Sequence, residues 1–106
     1  MADPDVHPAV RQTARDIETM ERRGAAEIAD AAATALATQA RESAATSVDA
    51  LDAELRAAAR LLADTRPTAV TLPNALRFVL DGRPTRDAES LRAAVVDRAA
   101  TFCDRI

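Results

Sequence analysis

Two short stretches of this chain hold the residues best suited to handling an anion. Arg23-Gly24-Ala25-Ala26 sets a glycine ahead of a helical pattern, with an arginine beside it. A glycine there lets the backbone turn and approach a ligand closely, and the first N–H groups and the dipole of the following helix favour negative charge. With the guanidinium of Arg23 added, the arrangement suits a phosphate. The same residues also fit a plainer arrangement, in which Gly24 is the C′ glycine closing a first helix and both Arg22 and Arg23 are solvated. The second stretch runs from Thr65 to Arg77 and interrupts an otherwise alanine-rich helical pattern. Pro67 and Pro73 fix the backbone at both ends of Thr68-Ala69-Val70-Thr71-Leu72, so the hydroxyls of Thr68 and Thr71 and the guanidinium of Arg66 would be presented from a stiffened loop. A structural connector is the competing reading, with Val70 and Leu72 anchored in the core and Arg66 capping the carbonyls of the preceding helix.

Elsewhere the reactive residue types are sparse. His7 is the single histidine and precedes the first helix in a stretch expected to fray, so no catalytic role is assigned to it. Cys103 is the single cysteine, which excludes an internal disulfide. It falls in the last helical pattern, where a small apolar filler is expected. The acidic residues scatter over solvent faces, and no carboxylate pair, metal-ligand cluster or nucleophile–base arrangement stands out. No metal, no cofactor and no catalytic residue is therefore expected within this segment.

The elements that must position the two stretches are helices. The chain has 106 residues, which bounds it to one domain and is short for a complete metabolic enzyme that must enclose a substrate. Alanine dominates, the aromatics are Phe78 and Phe102, and arginine supplies all 14 basic residues. The absence of lysine fits a GC-rich or salt-adapted genome. A net charge of −3 with interspersed signs argues against a nucleic-acid surface. No apolar run approaches the roughly 18 residues of a membrane span, and the acidic start is unlike a signal peptide, so a cytoplasmic location with no membrane partner is expected.

Val10, Ala14, Ile17 and Met20 share one face of a first helix beginning near His7 or Pro8 and ended by Arg22-Arg23-Gly24. A second helix from Ala25 turns Ile28, Ala32, Ala35, Leu36 and Ala40 inward and fades at Ser43–Ser47. Ser47 or Thr46 is the expected N-cap of a third helix, whose inner residues are Leu51, Leu55, Ala58 and Leu62 and which Thr65-Arg66-Pro67 stops. Pro73 suits the first turn of a short fourth helix through Leu76 and Leu80, closed by a turn at Asp81-Gly82-Arg83-Pro84. Thr85 or Asp87 starts a fifth, with Leu91, Val95, Ala99 and Phe102 buried. The expected fold is all-α, a small bundle of about five helices spanning 1–106. The last helix runs to Ile106 without a cap, as in a segment of a larger protein and as in small domains that end on a helix.

The stretches MERRGAAEIADAAATAL and TRPTAVTLPNALR, in that order, resemble the amino-terminal helical domain of the archaeal ribose 1,5-bisphosphate isomerases. These belong to the translation initiation factor 2B alpha/beta/delta-like family, shared with methylthioribose-1-phosphate isomerases and regulatory subunits of that factor. The resemblance covers nearly all of this chain and the smaller, amino-terminal part of the family's length. It implies that Arg23, Gly24, Ala25, Ala26 and Arg66 contribute to binding a phosphorylated sugar. It also implies a carboxy-terminal Rossmann-like domain, absent here, that carries the catalytic cysteine and aspartate, and a homo-oligomer at full length. Asn74-Ala75-Leu76-Arg77 is more similar to the ribose bisphosphate type than to the methylthioribose type. Glu27 departs from the family pattern: a carboxylate in the first turn suits the helix dipole and repels a phosphate placed beside it. Two other functions remain open on sequence: a regulatory or binding module of the initiation factor 2B type, which senses a phosphorylated ligand without turning it over, and a small helical interaction protein.

Overall fold

The computed structural model of the chain describes residues 6–19, 24–65, 71–83 and 86–105. They form five helices, α1 (Pro8–Thr19), α2 (Ala25–Glu42), α3 (Val48–Ala63), α4 (Thr71–Leu80) and α5 (Ala88–Arg105), and no strand is present among them. The all-α expectation holds, and the inward residues anticipated on each helix are buried, apart from the half-buried Leu80 and Phe102. Met20 lies outside the described residues.

α2 is the central column and touches each of the other four helices. Its buried residues run from Ile28 and Ala35 on one side through Ala29, Ala32, Leu36 and Ala40 to Ala33 and Ala37 on the other, and so spread over more than half of its circumference. Alanine is what allows this, because small side chains let several neighbours pack against one helix at close range.

The course of the chain follows from a few polar contacts. Pro8 takes the first helical position of α1, where its missing N–H costs nothing. Ahead of it, His7 accepts the Ala9 N–H on Nδ1 at 3.0 Å and donates its own backbone N–H to Gln39 Oε1 at 2.7 Å. His7 is thus a helix cap held against α2, not part of a frayed end. Gln39 is 2% exposed and donates through Nε2 to Glu54 Oε1 at 2.9 Å, an atom that also accepts from Ser43 Oγ at 2.6 Å. This network places the starts of α1 and α3 beside the last turns of α2, so both helices run back against it. It also shows that Glu54 is not one of the solvated carboxylates the sequence suggested.

Ser47 caps α3 by accepting the Ala50 N–H at 3.1 Å. At the other end the Leu62 carbonyl accepts from the Thr65 hydroxyl at 2.6 Å and from the Thr65 N–H at 3.3 Å. That carbonyl is satisfied by Thr65, the role the connector reading gave to Arg66, which lies outside the described residues. α4 begins at Thr71, before Pro73, so Thr71 is a helix residue and not a loop residue as expected. Leu72 is fully buried and anchors this start. The turn after Leu80 that closes α4 runs through Gly82, whose φ of +63° is a conformation that favours glycine. Asp87 caps α5, accepting the Ser90 N–H at 2.7 Å, and this bond holds its carboxyl below the usual carboxylate range.

Arg83, just past α4, donates to the Leu80 carbonyl at 3.0 Å and to Asp52 on α3, which also pairs with Arg56 at 2.9 Å. The Arg83 hydrogen bond, assisted by both positive charges, holds Asp52 below its ordinary value despite partial burial. A carboxyl depressed on folding stabilises the fold above its unfolded pKa, and that contribution is lost as pH falls through the folded value. Asp52→Asn should therefore be less stable than the parent chain at pH 7, by about 1 kcal/mol, and should converge with it in urea titrations as pH falls through and below the ordinary carboxylate range. A gap that persists at low pH would assign the effect to something other than the charge.

Candidate functional site

The anticipated anion site falls at the start of α2. Gly24 is the N-cap of that helix, with φ −69° and ψ 158°, and its carbonyl accepts the Ile28 N–H at 3.2 Å. That φ is not the left-handed conformation of a C′ glycine closing a helix. Any residue can adopt this backbone conformation. A β-carbon added at position 24 would meet nothing within 4 Å, so packing does not call for glycine either. Serine, aspartate or asparagine would cap the helix better. Gly24 makes no side-chain cap, and both it and Ala26 are exposed. The first-turn N–H groups of a helix have no intrahelical acceptor, so the glycine leaves those of Ala25 and Ala26 open to approach from solvent. Glu27, also exposed, lies one residue further along the same turn.

Of the other expected site residues, Arg23 and Arg66 lie outside the described residues, as does Thr68. The sequence that carries them leads into α2 on one side and out of α3 on the other. Since α3 starts beside the end of α2 and runs back along α1, its C-terminus heads toward the end of the bundle where α2 begins.

α5 reaches the same end. It runs antiparallel to α2, with Arg92 beside the last turn of α2 and Cys103 beside Asp30 near its start. Cys103 is half-buried, and its thiol donates to Asp30 Oδ1 at 2.7 Å. Partial burial, followed by this bond to a carboxylate, pushes the thiol pKa up. The expected apolar filler is instead a polar tie between α5 and α2, and a poor nucleophile because the thiolate is disfavoured.

Three arginines to which the sequence analysis assigns no role are structural. Arg92 donates through Nη1 to the carbonyls of Ala40 and Ser43 and through Nη2 to that of Ala45, closing the end of α2. Arg98 donates to the Phe78 carbonyl at 2.8 Å and lies over the Phe78 ring at 4.6 Å, while Phe78 packs against Phe102 at 5.5 Å between centroids. Arg83 bridges α3 and α4, as described. None of these contacts has a local sequence signal. Among the described residues no group of three or more His, Cys, Asp and Glu side chains is placed to hold a metal, and no helix is long and apolar enough to cross a membrane.

The model of the initiation factor 2 subunit family matches residues 21–106, from the arginines ahead of α2 to the end of α5. The chain belongs to that family. Among curated relatives it is similar to the ribose 1,5-bisphosphate isomerase of Haloferax volcanii, at 61% identity over 98% of this chain and 32% of the relative. The enzymes of the same name from Haloterrigena turkmenica and Thermococcus kodakarensis are 58% and 45% identical over 93% and 88% of this chain, each covered over 30% of its length. The chain thus spans about a third of the length of the curated family members it matches.

Proposed function

We propose that this chain is the amino-terminal helical part of a ribose 1,5-bisphosphate isomerase-like protein, and that it forms one wall of a phosphosugar pocket. The observation that carries the reading is Gly24: a glycine at an exposed helix start that neither backbone conformation nor packing requires. A phosphate oxygen resting on the N–H groups of Ala25 and Ala26 gives it a purpose, because a side chain at position 24 would occupy the approach. Arg23 and Arg66 neutralise the phosphate charge in this reading through charge-assisted hydrogen bonds. The names of the relatives, and their identity to this chain over nearly all of its length, support ribose 1,5-bisphosphate as the substrate, and the family resemblance implies ribulose 1,5-bisphosphate as the product. The groups that move protons then reside in a carboxy-terminal, Rossmann-like part. Because α5 ends beside the start of α2, a chain continuing from it begins at the mouth of the proposed pocket. The complete protein is proposed to be a homo-oligomer.

The test uses a full-length protein carrying this segment. Arg66→Ala should raise KM for ribose 1,5-bisphosphate at least tenfold, the equivalent of one charge-assisted hydrogen bond. Gly24→Ala should also raise KM about tenfold while changing stability by less than about 1 kcal/mol, since only N-cap preference is altered. An unchanged KM in both variants would refute the pocket. Saturable sugar phosphate binding without turnover would instead favour the regulatory module.

A further inference from the structure

The outer surface between α3 and α4 carries a feature that the phosphosugar site does not use. Of the helix pairs that touch, these two meet most sparsely, leaving a groove of about 430 Å³ between them. Its floor is apolar: Ala59 and Ala63, one turn apart on α3, face Leu76 and Leu80, one turn apart on α4. Arg60 stands on one wall and Arg77 on the other, both exposed, while Arg83, paired with Asp52, and the exposed Asp81 line the groove just past the end of α4. Among the described residues neither guanidinium has an ion pair or a hydrogen bond, in contrast to Arg83, Arg92 and Arg98. Arg60 also borders a second trough toward α1, lined by Arg11, by Arg56, which pairs with Asp52, and by Asp64 around Ala57 and Leu61. In a chain of net charge −3, arginines outnumber carboxylates along both apolar floors.

We propose that the α3–α4 groove docks an acidic amphipathic helix of a partner protein. A third helix laid between two others buries its apolar i, i+4 and i+7 residues on the floor, and the alanines of α3 allow it to approach closely. Carboxylates on the two edges of that helix meet Arg60 on one side and Arg77 on the other, which fixes both the sign and the spacing of the partner's charges. A nucleic acid fits poorly. The groove offers no aromatic ring for base stacking, and its floor of alanine and leucine calls for aliphatic side chains.

The probe is a fluorescent helical peptide with leucines at i, i+4 and i+7 and glutamates along both flanks, titrated into the 106-residue chain and followed by anisotropy. Saturable binding is expected, weakened by salt and reduced about tenfold by either Arg60→Glu or Arg77→Glu in proteins whose circular dichroism is unchanged. Arg86→Glu, at a side chain 83% exposed ahead of α5, should leave the affinity as it is. Equal binding of a lysine-flanked peptide, or indifference to both reversals, would overturn the proposal. So would displacement of the peptide by oligouridine that itself depends on Arg60 and Arg77, which would assign the groove to nucleic acid. Self-association of the chain that Arg60→Glu abolishes would assign it to a second copy.

Discussion

Arg92→Ala should destabilise the domain by about 3 kcal/mol, a shift of roughly 15 °C in Tm for a chain of this size. The guanidinium reaches across from α5 to three carbonyls, of Ala40, Ser43 and Ala45, at the point where α2 ends. A helix leaves its last carbonyls without intrahelical donors, and at a packed end each that loses its partner carries a desolvation penalty. The planar fork of arginine serves several acceptors at fixed angles, which an ammonium cannot reproduce. Arg92→Lys should therefore recover less than half of the loss. Urea denaturation of the parent and both variants checks this; an Arg92→Ala loss below about 1 kcal/mol would mean that water replaces the clamp.

Leu36→Ala is expected to cost still more, about 4 kcal/mol by the same measurement. Leu36 is fully buried on the central helix. Truncating a buried leucine forfeits its transfer free energy and adds a cavity term whose size depends on how far the surroundings collapse. Here they can collapse little, because much of the nearby buried surface of α2 is alanine, with no rotamers able to swing into the void. The neighbouring helices already sit close on those alanines, so the hole persists. Leu36→Met, which nearly preserves volume, should cost less than about 1.5 kcal/mol. A loss below about 2 kcal/mol for Leu36→Ala would show that the helices close in on the gap.

Helical periodicity made the secondary structure legible: among the described residues the five helices fall where the spacing places them, and Ser47 and Gly82 mark boundaries expected of them. Local chemistry also identified Gly24-Ala25-Ala26 as a helix start with a glycine ahead of it. What sequence could not supply was the pairing of residues far apart in the chain. His7 looked frayed because its anchor, Gln39, is 32 positions away. Cys103 looked like a filler because Asp30 is 73 positions away. Arg92 and Arg98 resemble solvated helix arginines until the helices cross and bring backbone carbonyls to them. Thr71 was misplaced for a local reason: two prolines suggested a rigid loop between them, whereas Thr71 and Leu72, ahead of Pro73, are already helical.

Gly24 stands apart from the other glycine in what maintains it. Gly82 is held by a left-handed backbone, and a replacement there strains the turn that ends α4. Nothing lies within 4 Å of a β-carbon added at position 24, so apart from its small N-cap preference the position bears little on folding, and the proposed ligand at the start of α2 is what would hold a glycine there. Descendants of this domain are free to enlarge residue 24 without endangering the bundle. On the proposed reading, such a change would record a switch of ligand, made in a single substitution and at little cost in stability.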